Sequence, residues 1–221
     1  MHHGLYTLRA HGDITKLELE DGVIRGAVAS ILAEASTIVE VLVDIPRATS
    51  ADLPRSVEPT PDSAQVVITA SSESDAERDL ATLVAEVAVV ERFGRVDRFE
   101  HGEVEQSRPG SARPGVSLRV RADRTSEADH TTFAHWVEDS LLTTASRLGG
   151  IEVRSFVAAR EADAIPSVSA SFAFPGTEEA FEAIESGALN SVLDSDLIKP
   201  ETLQLDLVTE HRIRPNPNTW E

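Results

Sequence analysis

The chain contains no cysteine, so disulfides, thiolate nucleophiles and cysteine-ligated zinc or iron–sulfur centres are excluded. Only 5% of the residues are aromatic and there is one methionine, which leaves little apolar wall for a haem pocket. No apolar run approaches the about 18 residues that span a membrane. Residues 1–4 have neither the basic nor the apolar region of a signal peptide, so we expect a cytoplasmic protein.

Lysine is nearly absent as well. Lys16 and Lys199 are its only two occurrences, and 38 acidic residues against 20 basic ones give a net charge of −18. A field of that sign repels phosphate backbones and anionic lipid headgroups. We therefore expect neither nucleic-acid nor membrane partners.

Several motifs that carry chemistry are also missing. The sequence has no glycine-rich phosphate loop and no serine nucleophile elbow. His2, His3 and His11 lie near Asp13, but without the spacing of a histidine metal site, so we expect no metal.

The clearest pattern present is a helix that leads into a strand. A stripe of apolar residues at spacings of three and four runs through residues 130–148 and consists of Phe133, Val137, Leu141, Ala145 and Leu148. Two glycines, Gly149 and Gly150, should end this helix. Residues 151–159 then alternate as a strand does. The pattern predicts a helix packed on a sheet.

The same order of elements is predicted on both sides of a Pro- and Gly-rich linker at residues 105–115. The first set is strand 5–10, helix 13–36, strand 37–45, strand 64–70, helix 74–93 and strand 95–104. The second is strand 116–122, helix 130–148, strand 151–159, strand 167–174, helix 178–193 and strand 202–213. Residues 13–21 also fit a hairpin, and the 47–63 loop is interpreted as mobile rather than functional.

This repetition predicts an α+β protein made of two units. Residues 1–104 would form a first ferredoxin-like βαββαβ unit and residues 116–213 a second, followed by a tail at 214–221. Two dipeptides recur at the same offset of 110 residues. They are Leu8-Arg9 with Leu118-Arg119, and Glu100-His101 with Glu210-His211.

The second half carries motifs of a known family. An aromatic-bearing helix, 133–140, is followed by a strand led by Gly150, by a strand that opens into a helix through a short acidic turn at 171–181, and by Glu210-His211. On these motifs residues 116–213 resemble the EthD-like families of the dimeric α+β barrel superfamily. The resemblance implies that two ferredoxin-like units pair their antiparallel sheets into one barrel. A homo-oligomer would then use the remaining sheet or helix faces.

The resemblance also implies a function. It favours a cofactor-independent enzyme of the isomerase, cyclase, decarboxylase or monooxygenase type that acts on a small organic molecule in the barrel cleft. Four residues after Trp136, where the family has histidine, this chain has Ser140, which cannot act as an acid or base near neutral pH. A non-catalytic small-molecule-binding or accessory protein is the alternative. A haem-binding relative of chlorite dismutases is the third, which the few aromatic residues disfavour.

Two histidines are candidate catalytic residues. His211 shares the strand parity of Leu205 and Leu207, and as a general base it would be oriented by Glu210 or by a backbone group. Alternatively, His211 is a histidine at a strand end whose hydrogen bonds are made to solvent or to the backbone. His101 is the weaker equivalent in the first half.

The candidate substrate-binding residues are three arginines and two residues of the 130–148 helix. Arg9, Arg119 and Arg121 lie opposite the apolar faces of their strands, and if they line a barrel interior they could bind a carboxylate or enolate oxygen bidentately. They could equally be ordinary half-exposed strand arginines. Trp136 is interpreted as core or pocket wall, and Ser140 lies on the same helix. We expect His135 to be exposed and Tyr6 to be core.

Overall fold

A computed structural model describes residues 1–33, 36–47, 53, 63–101, 115–148, 152–159 and 165–215. Its strands are β1 (His2–Ala10), β2 (Ile38–Pro46), β3 (Ser63–Ala70), β4 (Ala88–His101), β5 (Gly115–Ala122), β6 (Val153–Ala158), β7 (Val168–Phe174) and β8 (Gln204–Ile213). Its helices are α1 (Lys16–Leu32), α2 (Glu73–Val84), α3 (His130–Arg147), α4 (Thr177–Glu185) and the short α5 (Asn190–Leu193), with a 3-10 turn at Pro200–Thr202.

The strands form one closed antiparallel barrel in the order β1-β3-β2-β8-β5-β7-β6-β4, and β4 pairs with β1 to close it. Along the chain the order β-α-β-β-α-β occurs twice. Pairing between β2 and β8 and between β4 and β6 joins the strands of the first half to those of the second. The predicted α+β class is confirmed, and the barrel forms within one chain.

Helices cover the outside of the barrel through two apolar layers. In the second half, Leu118 and Val120 of β5 and Leu205 of β8 pack with Phe133 and Val137 of α3. The first half has its own layer, built from β1, β2, β3, α1 and α2. Side chains alternate between the two faces of a strand. The residues next to each outward-facing apolar residue therefore face the lumen.

Side-chain caps set the helix starts. Thr15 and Glu18 form a capping box at the start of α1, and the Asp129 carboxylate accepts hydrogen bonds from two backbone N–H groups of α3. α1 therefore begins at Lys16 and runs unbroken to Leu32. This favours a helix over a hairpin for the ambiguous region 13–21.

Two predicted helices were too long. The 74–93 helix ends at Val84, and residues from Ala88 onward belong to β4. The spacing of Leu80, Leu83, Val87 and Val90 mimicked a helical stripe, but the β-branched run after Ala85 joins the barrel, where its backbone groups pair with β1. The helix also begins one residue earlier than predicted, at Glu73, after the N-cap Ser72.

The predicted 178–193 helix is divided into α4 and α5. Gly187 lies between them with φ of +72°, a left-handed conformation that ends a helix. Loop 47–63 and linker 105–115 lie almost entirely outside the described residues, as do Gly149 and Gly150. None of the described helices is long and apolar enough to cross a membrane.

Candidate functional site

The barrel lumen is lined by buried charged side chains. The arginines are Arg98, Arg119, Arg121, Arg154 and Arg212, and the carboxylates are Glu40, Asp44, Glu152, Asp206 and Glu210. Serines and Gln65 fill part of the remaining space, and Gln65 donates to Ser169 over 3.1 Å. A smaller apolar cluster that includes Leu42 and Phe156 occupies the rest. The described lumen is therefore mainly charged and polar, with one apolar part.

At one end of the lumen, Asp206 joins two arginines. Its Oδ2 atom lies 3.2 Å from Nη2 of Arg119 and 2.6 Å from Nη2 of Arg121. Arg119 also faces Asp44, at 3.7 Å between Nη1 and Oδ2. The Nε atoms of Arg119 and Arg121 are buried and have no hydrogen-bond partner in the described part of the chain. At this end of the lumen, the N–H donors of the arginines therefore outnumber the carboxylate acceptors.

The pKa shifts follow from this burial. Burial, reinforced by the nearby Glu210 and opposed by Arg119, raises the pKa of Asp44 to about 7. Burial and the charge of Arg119 lower the pKa of Arg121 to about 10, and Arg92 contributes in the same direction. Arg121 remains cationic at neutral pH.

At the other end, the ion pairs are more nearly matched. Glu40 contacts Arg98 at 2.5 Å and also pairs with Arg212 and Arg214. Burial alone would raise the pKa of Glu40, but these arginines together lower it. Arg154 is held between two carboxylates, at 2.8 Å from Glu152 and in close contact with Glu210.

An open cleft of about 460 Å³ lies at the Arg121 end of the barrel and is called the mouth cleft below. Its lining consists of Arg92, Arg121, Ala122, Asp123, Ile165, Pro166, Glu201, Thr202 and Gln204. Ligand sites typically have volumes of about 300–1,000 Å³ and a few convergent polar groups. The mouth cleft has both properties.

A second, much smaller space lies between α3 and the second-half sheet and is called the α3 crevice. It is lined by Val120, Ala122, Trp136, Val137, Ser140, Leu141, Val168, Ala170, Val192 and Ile198. Its volume of about 10 Å³ has room for a single water-sized centre. Trp136 and Ser140 both line this crevice, and the Trp136 ring lies tilted against that of Phe133 at 5.5 Å between ring centroids.

The two candidate histidines line neither space. His211 faces the outer layer and its Nε2 atom lies 2.6 Å from Oε1 of Glu20 in α1. Glu210, its proposed orienting partner, points into the lumen toward Arg154. His101 is half-buried at the end of β4, and its Nε2 atom has no hydrogen-bond partner among the described residues.

The structure brings Arg119 and Arg121 together but leaves Arg9 apart. Arg9 is exposed and pairs with Glu91 at 3.1 Å. The expectations for His135 and Tyr6 are confirmed. His135 is exposed, and Tyr6 is fully buried, which raises the pKa of its hydroxyl to about 12.

Sequence reasoning missed three residues of this end of the barrel. Asp206 lies between Leu205 and Leu207, and Asp123 continues the inward parity of Arg121, so alternation alone could have identified both. Arg92 could not be found in this way because it lay inside the overlong predicted helix.

The chain matches no protein-family model and no curated protein by sequence. Among solved structures it is similar to a provisionally assigned monooxygenase from Fusobacterium nucleatum, with 11% identity, a TM-score of 0.60 and coverage of 95% of this chain and 91% of that one. An anthrone oxidase-like protein matches at 12% identity and a TM-score of 0.56, with 96% and 93% coverage. A chlorite dismutase from Candidatus Nitrospira defluvii matches at 11% and 0.55, with 95% and 90% coverage. At such low identity these likenesses show the fold alone, an α+β barrel.

The α3 crevice does not fit a haem. A haem requires an axial ligand such as His, Cys, Met or Tyr and a wide apolar wall. None of the residues that line the crevice is of these types, and its volume is about 10 Å³. The mouth cleft is likewise lined by none of them.

Proposed function

We propose that this chain is a non-catalytic small-molecule-binding protein that holds an organic carboxylate in the mouth cleft. The observation that carries the proposal is the presence of two arginines, Arg92 and Arg121, on the wall of a 460 Å³ space. A guanidinium offers several N–H donors in a fixed geometry that matches a carboxylate.

Arg121 is prepared for this role by its neighbours. Asp206 holds one end of the guanidinium, which fixes the side chain, while the buried Nε atom has no partner in the described residues. Only 22% of the side chain is exposed, so an interaction with it would be screened less than one at the surface. In a chain with a net charge of −18, Arg121 and Arg92 supply the positive charge that an anion needs to bind here.

Binding is favoured over catalysis because no histidine lines the mouth cleft. His211 is occupied by Glu20 on the other side of the sheet, and Ser140 stands where the EthD-like families have histidine.

A cofactor-independent enzyme that acts in the α3 crevice is the second candidate. Its support is the likeness to monooxygenase and anthrone oxidase-like structures, together with Trp136 and Ser140 on one apolar wall. The crevice would have to widen by movement of α3 or α5 to admit an organic substrate, and this makes it the weaker candidate.

We also propose that residues 1–104 and 116–213 are two ferredoxin-like units, with the second related to the EthD-like families. Each half supplies four neighbouring strands of the barrel, in the orders β4-β1-β3-β2 and β8-β5-β7-β6. The recurrent element order supports this division.

The proposal is tested by titrating the protein with 3-phenylpropanoate in a calorimeter. We expect saturable binding that weakens with salt, a loss of ten-fold or more in Arg121→Gln, and a smaller loss in Arg92→Gln. Arg9→Gln removes an equal charge from an exposed arginine outside the cleft and should leave the affinity unchanged.

Circular dichroism of each variant establishes that the barrel is folded. Absence of binding by the wild type, or equal affinities in the folded Arg9 and Arg121 variants, would overturn the proposal.

A further inference from the structure

The mouth cleft carries charges of both signs on its wall. Arg92 and Arg121 supply the positive charge, and Asp123 and Glu201 the negative. In the described part of the chain neither arginine forms an ion pair with either acid, since Arg121 turns to Asp206 deeper in the barrel. The opposite charges therefore lie on the wall of the open cleft without pairing with each other.

Arg121 and Asp123 are close enough to contact one small ligand. They are two residues apart at the end of β5 and line the same cleft, which places their Cα atoms about 6.6 Å apart at the usual rise per residue. The Ser167 backbone N–H donates to Oδ1 of Asp123 over 3.3 Å, which orients that carboxylate. Among the described residues, Asp123 takes part in no ion pair.

The rest of the wall is partly apolar. Ile165 is buried and, with Pro166, forms a hydrophobic part of the lining, while Thr202 and Gln204 add neutral polar groups. A ligand with an apolar side chain next to its charged groups would fit this division of the wall.

We infer that the ligand of the mouth cleft is a zwitterion of the α-amino acid class, with its carboxylate at Arg121 and Arg92 and its ammonium group at Asp123 and Glu201. The inference rests on the proposed carboxylate binding and adds a positively charged ammonium group to the ligand. A simple carboxylate would leave Asp123 without a cation and would be repelled by it, so the zwitterion is the better complement.

The test compares matched ligands on the intact protein by calorimetry. The probes are alanine, leucine and phenylalanine, each paired with the acid that lacks its amino group, namely propanoate, 4-methylpentanoate and 3-phenylpropanoate. For the member of the series that binds best, we expect the amino acid to bind roughly ten-fold to a hundred-fold more tightly than its partner.

Asp123→Asn should abolish this preference. The Asn oxygen can still accept the Ser167 hydrogen bond, and the backbone bonds of residue 123 to Thr202 and Lys199 do not involve its side chain. The variant should therefore fold. Asp139→Asn, an exposed carboxylate of α3 outside the cleft, is the control of equal charge and should keep the preference.

The outcomes separate this inference from the proposed function. If each acid binds as tightly as its amino acid, or if the preference survives in Asp123→Asn, the inference of a zwitterionic ligand is wrong and the proposed carboxylate binding stands. If neither member of any pair binds, the inference and the proposed function are both wrong.

Discussion

The lumen and the outer layer of the barrel are built from the same strands but have opposite chemistry. On β5, Leu118 and Val120 pack outward against helices, whereas Arg119 and Arg121 point inward among carboxylates. The outer layer is stabilised by apolar burial, which is tolerant of detail, and the lumen by ion pairs, which repay their desolvation only with good geometry. Among the described residues, the mouth cleft opens at the Arg121 end of this charged lumen.

The largest effect is expected from breaking the lumen network. Arg154→Met leaves Glu152 and Glu210 buried without their shared cation, and we expect a loss of about 3–5 kcal/mol in the free energy of unfolding. Urea denaturation measures it.

The double variant Arg154→Met with Glu210→Met removes both charges of one pair and should lose less than the sum of the two single changes. Strict additivity would show that the lumen charges do not act as a network.

In the outer layer, truncation should act through packing. Leu207→Ala removes a fully buried side chain, and we expect a loss of about 2–5 kcal/mol from lost burial and the cavity that remains. Because no charge is involved, the loss should be the same in low and high salt, and a strong salt dependence would contradict the division between the two regions.

The buried charges of the lumen should also make stability depend on pH. Asp44 has a folded-state pKa of about 7 against an ordinary value of 3.8, so the folded protein retains a proton that the unfolded chain releases. The stability that this proton provides is present below pH 4 and is lost as the pH rises through 7. Asp44→Asn fixes the neutral form.

Denaturation of the wild type and of Asp44→Asn across this window tests the effect. Relative to the variant, the wild type should lose up to about 1.4 kcal/mol for each pH unit between 4 and 7. Carboxylates with lowered pKa values, such as Asp75 and Asp129, act in the opposite direction but equally in both proteins. Parallel stability curves would show that Asp44 is ionised throughout.

The smallest effect belongs to ion pairs outside the barrel. Asp21 and Arg25 pair on the exposed side of α1, where solvent screens their attraction. Asp21→Asn should therefore change the free energy of unfolding by no more than about 0.5 kcal/mol. A change comparable to that of Arg154→Met would erase the distinction between buried and exposed pairs.

Much of the fold could be predicted from the sequence because the signals are local. The alternation of β5 places Arg119 and Arg121 opposite the apolar face, and the order of elements indicates two similar halves. The end of α2 was missed because Val87 and Val90 fit a helical spacing as well as a strand, and only pairing with β1 decides between them.

The partners of the candidate residues could not be predicted from local sequence patterns. Glu20 and His211 are 191 residues apart, and their contact requires that β8 pair with β2 beneath α1. Likewise, Asp44 approaches Arg119 only because β8 joins the two halves of the barrel. Strand order, which closure of the barrel sets, decides these contacts.

The location of a bound ligand tests the central claim most directly. In a titration of the isotope-labelled protein with phenylalanine, followed by two-dimensional amide NMR, the resonances of Arg121, Asp123 and Thr202 should shift, with the indole N–H of Trp136 unchanged. Shifts centred on Trp136 and Ser140, with none at Arg121, would place the ligand in the α3 crevice and contradict binding in the mouth cleft.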